Sequence, residues 1–452
     1  TMGAALARNL ASRGFRVGLW NRTSGKVAGF LNRYGGESFY AAENFEDFLE
    51  NLETPRRIIL MIPSGKATEE LLERLRETLH EGDCVMDGGN SHFKDSAAYG
   101  KKLLEKGIYF LGTGISGGEE GALKGPSLMP GGSREAWEEF EPLLNAISAE
   151  DFNGKACVSF VGTQGAGHFV KMVHNGIEYA EIQMLAEAYD FLKNLYRLKH
   201  EEIADIFKGW NEGHLNSFLL EISEEVLRKE EEGRPLLDLV SDAAGQKGTG
   251  RWTSEEALAL GVPLPSITGS VLARQSSSSK TLRSELAALY PIRMEVPNIL
   301  VSDFVEHLEK ALLLTRLSNF EQGISLLRAA EQQYKFGFKI PEILRLWQGG
   351  CIIRNSLLRD LHVSLLGESR SLYSALFAQK IVQKNLRSLQ VVVSTAALHS
   401  IPLFALSGAL SHFEAFRHAH LPANFIQGLR DRFGAHGYER VDKEGTFHTD
   451  WL

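Results

Sequence analysis

A chain of 452 residues with 43% hydrophobic and 23% charged side chains has the make-up of a globular protein of two or three domains, which excludes a disordered or fibrous polypeptide. Its 49 basic and 57 acidic residues leave a formal charge of −8 with no Lys/Arg tract, so nucleic acid is not an expected partner. Cys84, Cys157 and Cys351 are too far apart for a CxxC or metal-finger spacing and odd in number, which argues against a disulfide framework and for a reducing, cytoplasmic setting.

The first part of the chain alternates short apolar runs with amphipathic stretches, the pattern of a parallel sheet flanked by helices. It opens on a helix start of small residues, Thr1-Met2-Gly3-Ala4, followed by a turn at Gly14 and a strand over 15–21. Further strands are predicted over 57–62, 84–87, 108–112 and 158–162, with helices over 68–79 and 96–106. A dinucleotide fold puts a strand and G-x-G-x-x-G before such a helix, so that pyrophosphate rests on N–H groups at the helix N-terminus. Only the final glycine, Gly3, is present, and the sequence is therefore expected to be an N-terminally clipped piece of a longer product, lacking the first strand of a doubly wound sheet.

Asn21-Arg22-Thr23 stands after the second strand, where an NAD enzyme carries Asp or Glu for the ribose 2′-hydroxyl. The planar fork of Arg22 suits a 2′-phosphate instead and favours NADP. Two loops, Met61-Ile62-Pro63-Ser64-Gly65 and Asp87-Gly88-Gly89-Asn90-Ser91, follow strands at their carboxyl ends, where such sheets bind ligands. From there Asn90 could reach both nicotinamide and substrate.

From Gly165 onward the strand signal vanishes and 3.6-residue periodicity takes over, first in one helix over 166–194. A faint internal repeat shows in Trp210-x-x-Gly213 and Trp347-x-x-Gly350, each preceded by an amphipathic helix. The least charged long run, from Leu389 to Leu410, contains Gln390, His399 and Pro402 and reads as a buried helix pair, with no membrane span. The last segment, 429–452, is rich in Gly, His and charge and is expected to lie on another surface. The expected division is a nucleotide-binding Rossmann-like domain over 1–163, an all-helical domain over 164–428, and a C-terminal tail over 429–452.

The strongest local constellation lies inside the long helix, in Lys171-Met172-Val173-His174-Asn175-Gly176-Ile177-Glu178-Tyr179. Offsets of 3, 4 and 7 put His174, Asn175 and Glu178 on the face of Lys171. Lys171 and Glu178 stand roughly 10 Å apart along the axis, which suits two ends of one small substrate. A buried lysine loses affinity for its proton and can serve as a base, while a buried carboxyl keeps its proton and can serve as an acid. Mid-helix Gly176 and the loop Ser116-Gly117-Gly118 suggest close backbone approach to a ligand. Lys247 and Arg274, in Gly- and Ser-rich surroundings, look like an anion clamp.

In this order the motifs T-M-G-x-A-L-A-x-N-L, N-R-T, D-G-G-N-S, G-x-G-x-S-G-G-E-E-G-A, K-M-V-H-N-G-I-E-Y, G-Q-K-G-T-G-x-W-T, R-D-x-F-G-A-H and F-H-T-x-W resemble the 6-phosphogluconate dehydrogenase family over nearly the whole length. The resemblance implies oxidative decarboxylation of 6-phosphogluconate to ribulose 5-phosphate with NADP, in the oxidative branch of the pentose phosphate pathway, without a metal. It implies Lys171 as general base and Glu178 as general acid. Asn90, Ser116, Gly117, Gly118, His174 and Asn175 would hold the sugar-acid end, and Tyr179, Lys247 and Arg274 the phosphate end. It further implies a homodimer in which Arg430 and His436 of each tail complete the other subunit's phosphate site. Met2, Gly3, Asn21, Arg22, Thr23, Ile62, Pro63, Ser64 and Asn90 would meet the cofactor. Ile62-Pro63-Ser64 departs from the Val-Lys-Ala of many members, and Pro63 offers no backbone donor. A shorter β-hydroxyacid dehydrogenase would lack the second helical repeat and the R-D-x-F-G-A-H tail. A silent scaffold would be expected to have lost Lys171 or Glu178.

Overall fold

A computed structural model describes residues 2–246, 248–292, 295–367 and 371–451; Lys247 lies outside the described residues. The first part runs α1 (Met2–Ser12), β1 (Val17–Leu19), α2 (Ser24–Tyr34), β2 (Phe39–Ala41), α3 (Phe45–Glu50), β3 (Arg57–Leu60), α4 (Lys66–Thr78), β4 (Cys84–Asp87), α5 (Phe93–Leu104), β5 (Tyr109–Ser116), α6 (Gly118–Lys124), β6 (Ser127–Gly132) and α7 (Arg134–Ile147). Strands β3, β4 and β5 are parallel, and β6 returns antiparallel to β5 in register Leu111↔Gly132 to Ser116↔Ser127. All four residues of β4 are buried, as befits a strand covered by helices on both faces. Among the described residues, β1 and β2 form a separate parallel pair.

The strand expected over 158–162 is reduced to single bridges from Val158 to Leu128 and from Gly162 to Gly131. Strand β6 escapes the sequence pattern because Ser-Leu-Met-Pro-Gly-Gly carries a proline and two glycines, tolerated there because only one flank is paired along its length.

The helical part follows with α8 (Ala166–Asp190), a π-helical turn (Phe191–Leu195), α9 (His200–Asn211), α10 (Phe218–Arg228), the short pair β7 (Glu230–Glu231) and β8 (Arg234–Pro235), α11 (Thr249–Ala259), α12 (Pro265–Ser278), α13 (Lys280–Leu289), α14 (Val301–Tyr334), α15 (Ile340–Leu346), α16 (Leu357–Ser364), α17 (Leu376–Leu398) and α18 (Ala405–Arg417). The last elements are α19 (Ala423–Gly434), within which the expected tail boundary at 429 falls, β9 (Tyr438–Glu439) and β10 (Thr446–Phe447).

The repeat is visible as element order. A long helix, α8 or α14, leads to a shorter one that carries Trp210 in its last turn or stops just before Trp347, and a further helix follows. The two copies touch where Ser217 bridges Asn355. They lock where the buried Arg316 of α14 meets Glu181 of α8 at 2.8 Å and donates to the Leu215 carbonyl. The run from Leu389 to Leu410 closes α17 and opens α18, both packed on α14. Among the described residues, no helix is long and apolar enough to cross a membrane.

The sheet meets the helical part backbone to backbone at the start of α8. A Cβ on Gly167 would stand 2.1 Å from the Gly112 carbonyl oxygen and 2.3 Å from that of Met129, so only glycine fits. One turn on, a Cβ on Gly114 would stand 2.4 Å from the Cβ of Lys171. Much of the glycine in Gly112 to Gly118 and Gly131-Gly132 thus admits a helix.

Candidate active site

Helix α8 is buried along nearly its whole length, which takes its polar residues out of water. Lys171 is 7% exposed and His174 fully buried, whereas Glu178 keeps 22% of its side chain accessible. The polar wall therefore opens outward along the helix. The Lys171 Nζ lies 3.3 Å from His174 Nδ1, and the Glu178 Oε2 lies 3.7 Å from the same nitrogen. The two heads lean together on His174, which corrects the expectation that they are spread along the axis as their backbones are. Asn175 Oδ1 is 3.2 Å from His174 Nδ1, and Ser116 Oγ is 3.0 Å from Nε2. Trp347 presents itself edge-on to the imidazole, with ring centroids 5.8 Å apart.

Burial sets the protonation states. It holds the Lys171 ammonium below the ordinary lysine range, against the opposing pull of Glu178. It pushes the Glu178 carboxyl above the usual carboxylate range, against Lys171 and Arg274. His174 is driven well below its ordinary value by burial and then by Lys171, so it stays neutral. One wall thus offers a lysine inclined to be a base and a carboxyl inclined to be an acid, the divergence that marks acid/base pairs.

Outward of Glu178, the Arg274 guanidinium lies 3.5 Å over the ring of Tyr179 and donates to the Gly245 carbonyl at 3.4 Å. Gly117, at φ +115°, meets the Gly350 carbonyl, where a Cβ would come within 2.6 Å. The mid-helix Gly176 is explained by packing, since a Cβ there would stand 2.6 Å from the Cγ2 of Thr253 on α11. Its closeness is to another helix, which corrects the expectation of an approaching ligand.

At the carboxyl ends of the strands, Asn21 Oδ1 accepts from the Thr23 N–H at 2.9 Å, and Arg22 beside it is exposed. Gly3 packs at the start of α1 so that a Cβ would lie 3.0 Å from the Cβ of Met61. Ile62 adjoins the next loop, its carbonyl 3.0 Å from where a Cβ on Gly89 would be. Pro63 and Ser64 are exposed, as is Asn90, whose loop is tied by Asp87 to the Gly89 N–H at 2.9 Å and to the Ser91 hydroxyl at 2.5 Å. Gly3, Met61, Ile62 and the 87–91 loop thus lie along one rim.

The tail residues stand apart from this wall. Arg430 is exposed and donates to Gln427 at 2.8 Å, and His436 is exposed beside Phe433.

The C-terminal domain of 6-phosphogluconate dehydrogenase matches residues 167–451, and the NAD binding domain of 6-phosphogluconate dehydrogenase matches residues 1–162. The chain belongs to the 6-phosphogluconate dehydrogenase family. Among similar family members, the NADP(+)-dependent, decarboxylating 6-phosphogluconate dehydrogenase of Bacillus subtilis (strain 168) is 44% identical, over 100% of this chain and 97% of its own. The decarboxylating 6-phosphogluconate dehydrogenase of Escherichia coli (strain K12) is 42% identical with the same coverage. A solved structure of Plasmodium falciparum 6-phosphogluconate dehydrogenase, described in its apo form and in complexes with its cofactor NADP+ and its substrate 6-phosphogluconate, superposes with a TM-score of 0.95. It is 34% identical and covers 99% of this chain and 98% of its own.

Sequence reasoning found the Lys171 wall and missed what supports it. Trp347 entered only as a repeat marker, and His168, buried one turn before Lys171, was not singled out. The offset of three residues is the signal that would have found His168.

Proposed function

We propose that this chain converts 6-phospho-D-gluconate to D-ribulose 5-phosphate and CO2 with reduction of NADP, using Lys171 as general base and Glu178 as general acid. The observation that carries the reading is the convergence of Lys171 and Glu178 on the neutral His174, inside a wall that raises one pKa and lowers the other.

The rim of Met2, Gly3, Ile62, Pro63, Ser64 and Asn90 would hold NADP, with Asn21, Arg22 and Thr23 at its 2′-phosphate; when bound, NADP supplies the hydride acceptor. Neutral Lys171 takes the proton of the C3 hydroxyl as that carbon is oxidised. Asn90, Ser116, Gly117, Gly118, His174 and Asn175 hold the sugar-acid end. The resulting β-keto acid loses CO2 once its developing enolate is stabilised by neighbouring donors and the lysine's acquired charge. Protonated Glu178 then delivers a proton to C1 of the nascent enediol product.

Tyr179, Lys247 and Arg274 would hold the phosphate, joined by Arg430 and His436 from the tail of a second subunit. Exposed apolar faces at Leu282, Leu286 and Leu289 of α13 and at Phe425, Leu429 and Phe433 of α19 support a homodimer. The nucleotide-binding unit would span 1–163, the substrate and dimer unit 164–428, and the crossing tail 429–452. Three buried free thiols fit a reducing cytoplasm.

The test follows absorbance of reduced nicotinamide with 6-phosphogluconate, using NADP and NAD in parallel and trapping CO2. One CO2 per NADPH, with NAD poorer, is the expected result. Reduction without CO2 would indicate a simple hydroxyacid dehydrogenase, and no turnover would overturn the reading.

A further inference from the structure

His168 is 2% exposed on α8 and lies three residues before Lys171, on the same helical face. Its Nδ1 lies 2.5 Å from the Ser96 hydroxyl of α5. The ring presses on β5 so closely that a Cβ on Gly112 would stand 2.9 Å from Nδ1. Its other nitrogen, Nε2, makes no hydrogen bond of ordinary geometry, while the backbone carbonyls of Asp87 and Gly89 face the ring. Burial holds the imidazole below its ordinary pKa and therefore neutral. The carbonyls of Asp87 and Gly89 can only accept, which assigns the single ring proton to Nε2 and leaves Nδ1 to accept from the Ser96 hydroxyl, whose other acceptor is the His92 carbonyl at 3.3 Å. A fully buried donor without a regular partner is costly, and few native groups persist in that state without a reason.

We propose that His168 is a positioning residue whose Nε2–H braces the carbonyls of the 87–91 loop against α8 and so holds Asn90 in register with Lys171. This rests on the roles given to Asn90 and Lys171 under the proposed function. One imidazole joins the helix that carries the base to the loop at the nicotinamide side of the site. Nothing in it touches the reacting atoms; it acts through the loop.

The test compares the full-length enzyme with His168→Leu, which fills the space without a donor, and His168→Gln, whose amide can both accept and donate. Amide hydrogen exchange is read at Gly88 and Gly89, whose N–H groups bond to the Leu60 carbonyl and to Asp87 Oδ1. Steady-state kinetics with 6-phosphogluconate and NADP run alongside. His168→Leu is expected to speed exchange in the loop by about tenfold, the loss expected of one modest hydrogen bond, and to lower kcat by a similar factor with KM for 6-phosphogluconate little changed. His168→Gln is expected to recover most of both. Unchanged loop exchange in His168→Leu, or a glutamine variant no better than leucine, would overturn the proposal. If His168→Leu does not fold, Ser96→Ala decides: faster loop exchange supports the brace, and unchanged exchange refutes it. Exchange needs no turnover, so an enzyme inactive on 6-phosphogluconate would refute the proposed function and leave His168 separately decided.

Discussion

Helices α8 and α19 both carry residues assigned to one site, and their surroundings are opposite. Helix α8 is enclosed on nearly every side, and its polar groups are tuned by burial. Helix α19 buries only Asp431, which gathers its own tail by accepting from Gly437 and Thr449 N–H groups, His448 and Trp451 at 2.7–3.1 Å. The enclosed helix can shift pKa values because water is excluded; the open one can contribute charge and reach. On the roles proposed, proton transfer and anion recognition would thus fall in the two environments that suit them.

The sharpest break in this contrast is Lys171→Met, which should lower kcat on the order of 10³-fold while substrate affinity measured by titration persists. Activity close to that of the parent would remove Lys171 from its role. The same enclosed pair governs pH dependence. In the proposed roles Lys171 would work deprotonated from a lowered pKa, so activity should climb as it loses its proton; Glu178 would work protonated from a raised pKa, so activity should fall as it loses its own. A bell-shaped kcat/KM profile is expected, and Glu178→Gln should erase the alkaline limb.

Truncation after Gly428 should cost roughly 10²-fold in kcat/KM through lost charge-assisted phosphate contacts, with a nearly unchanged melting temperature because α19 packs mainly on β9. A truncated enzyme of full activity would refute the shared site. Gly114→Ala, which drives a methyl into Lys171, should destabilise the fold by about 1–3 kcal/mol and lower kcat, checked by thermal unfolding beside kinetics. The smallest effect is expected at the exposed Arg22: Arg22→Ser should shift the NADP-over-NAD ratio of kcat/KM by about tenfold, the worth of one charge-assisted hydrogen bond, and leave kcat alone.

The α/β-then-α order and the polar wall of α8 were legible because hydrophobic period and i, i+3 and i, i+4 offsets are properties of local sequence. The long-range partners of that wall were not. Nothing near Gly176 announces Thr253, so that glycine reads as an opening for a ligand, and nothing near Gly114 announces Lys171. Strand β6 was hidden because its pairing with β5, and not its own composition, makes it a strand. The lean of Lys171 and Glu178 toward His174 is a matter of rotamers, which spacing along an axis does not convey.

Where α8 enters the sheet at Gly167 and Gly114, main chain rests on main chain. Such a joint has no side chains that can swing aside as a bearing, and close-packed atoms transmit displacement without absorbing it. Strands β5 and β6 and the start of α8 are thereby held as one block. On the proposed roles, access to the wall would then be governed by whatever surrounds its open end, the loops and the tail that stands outside.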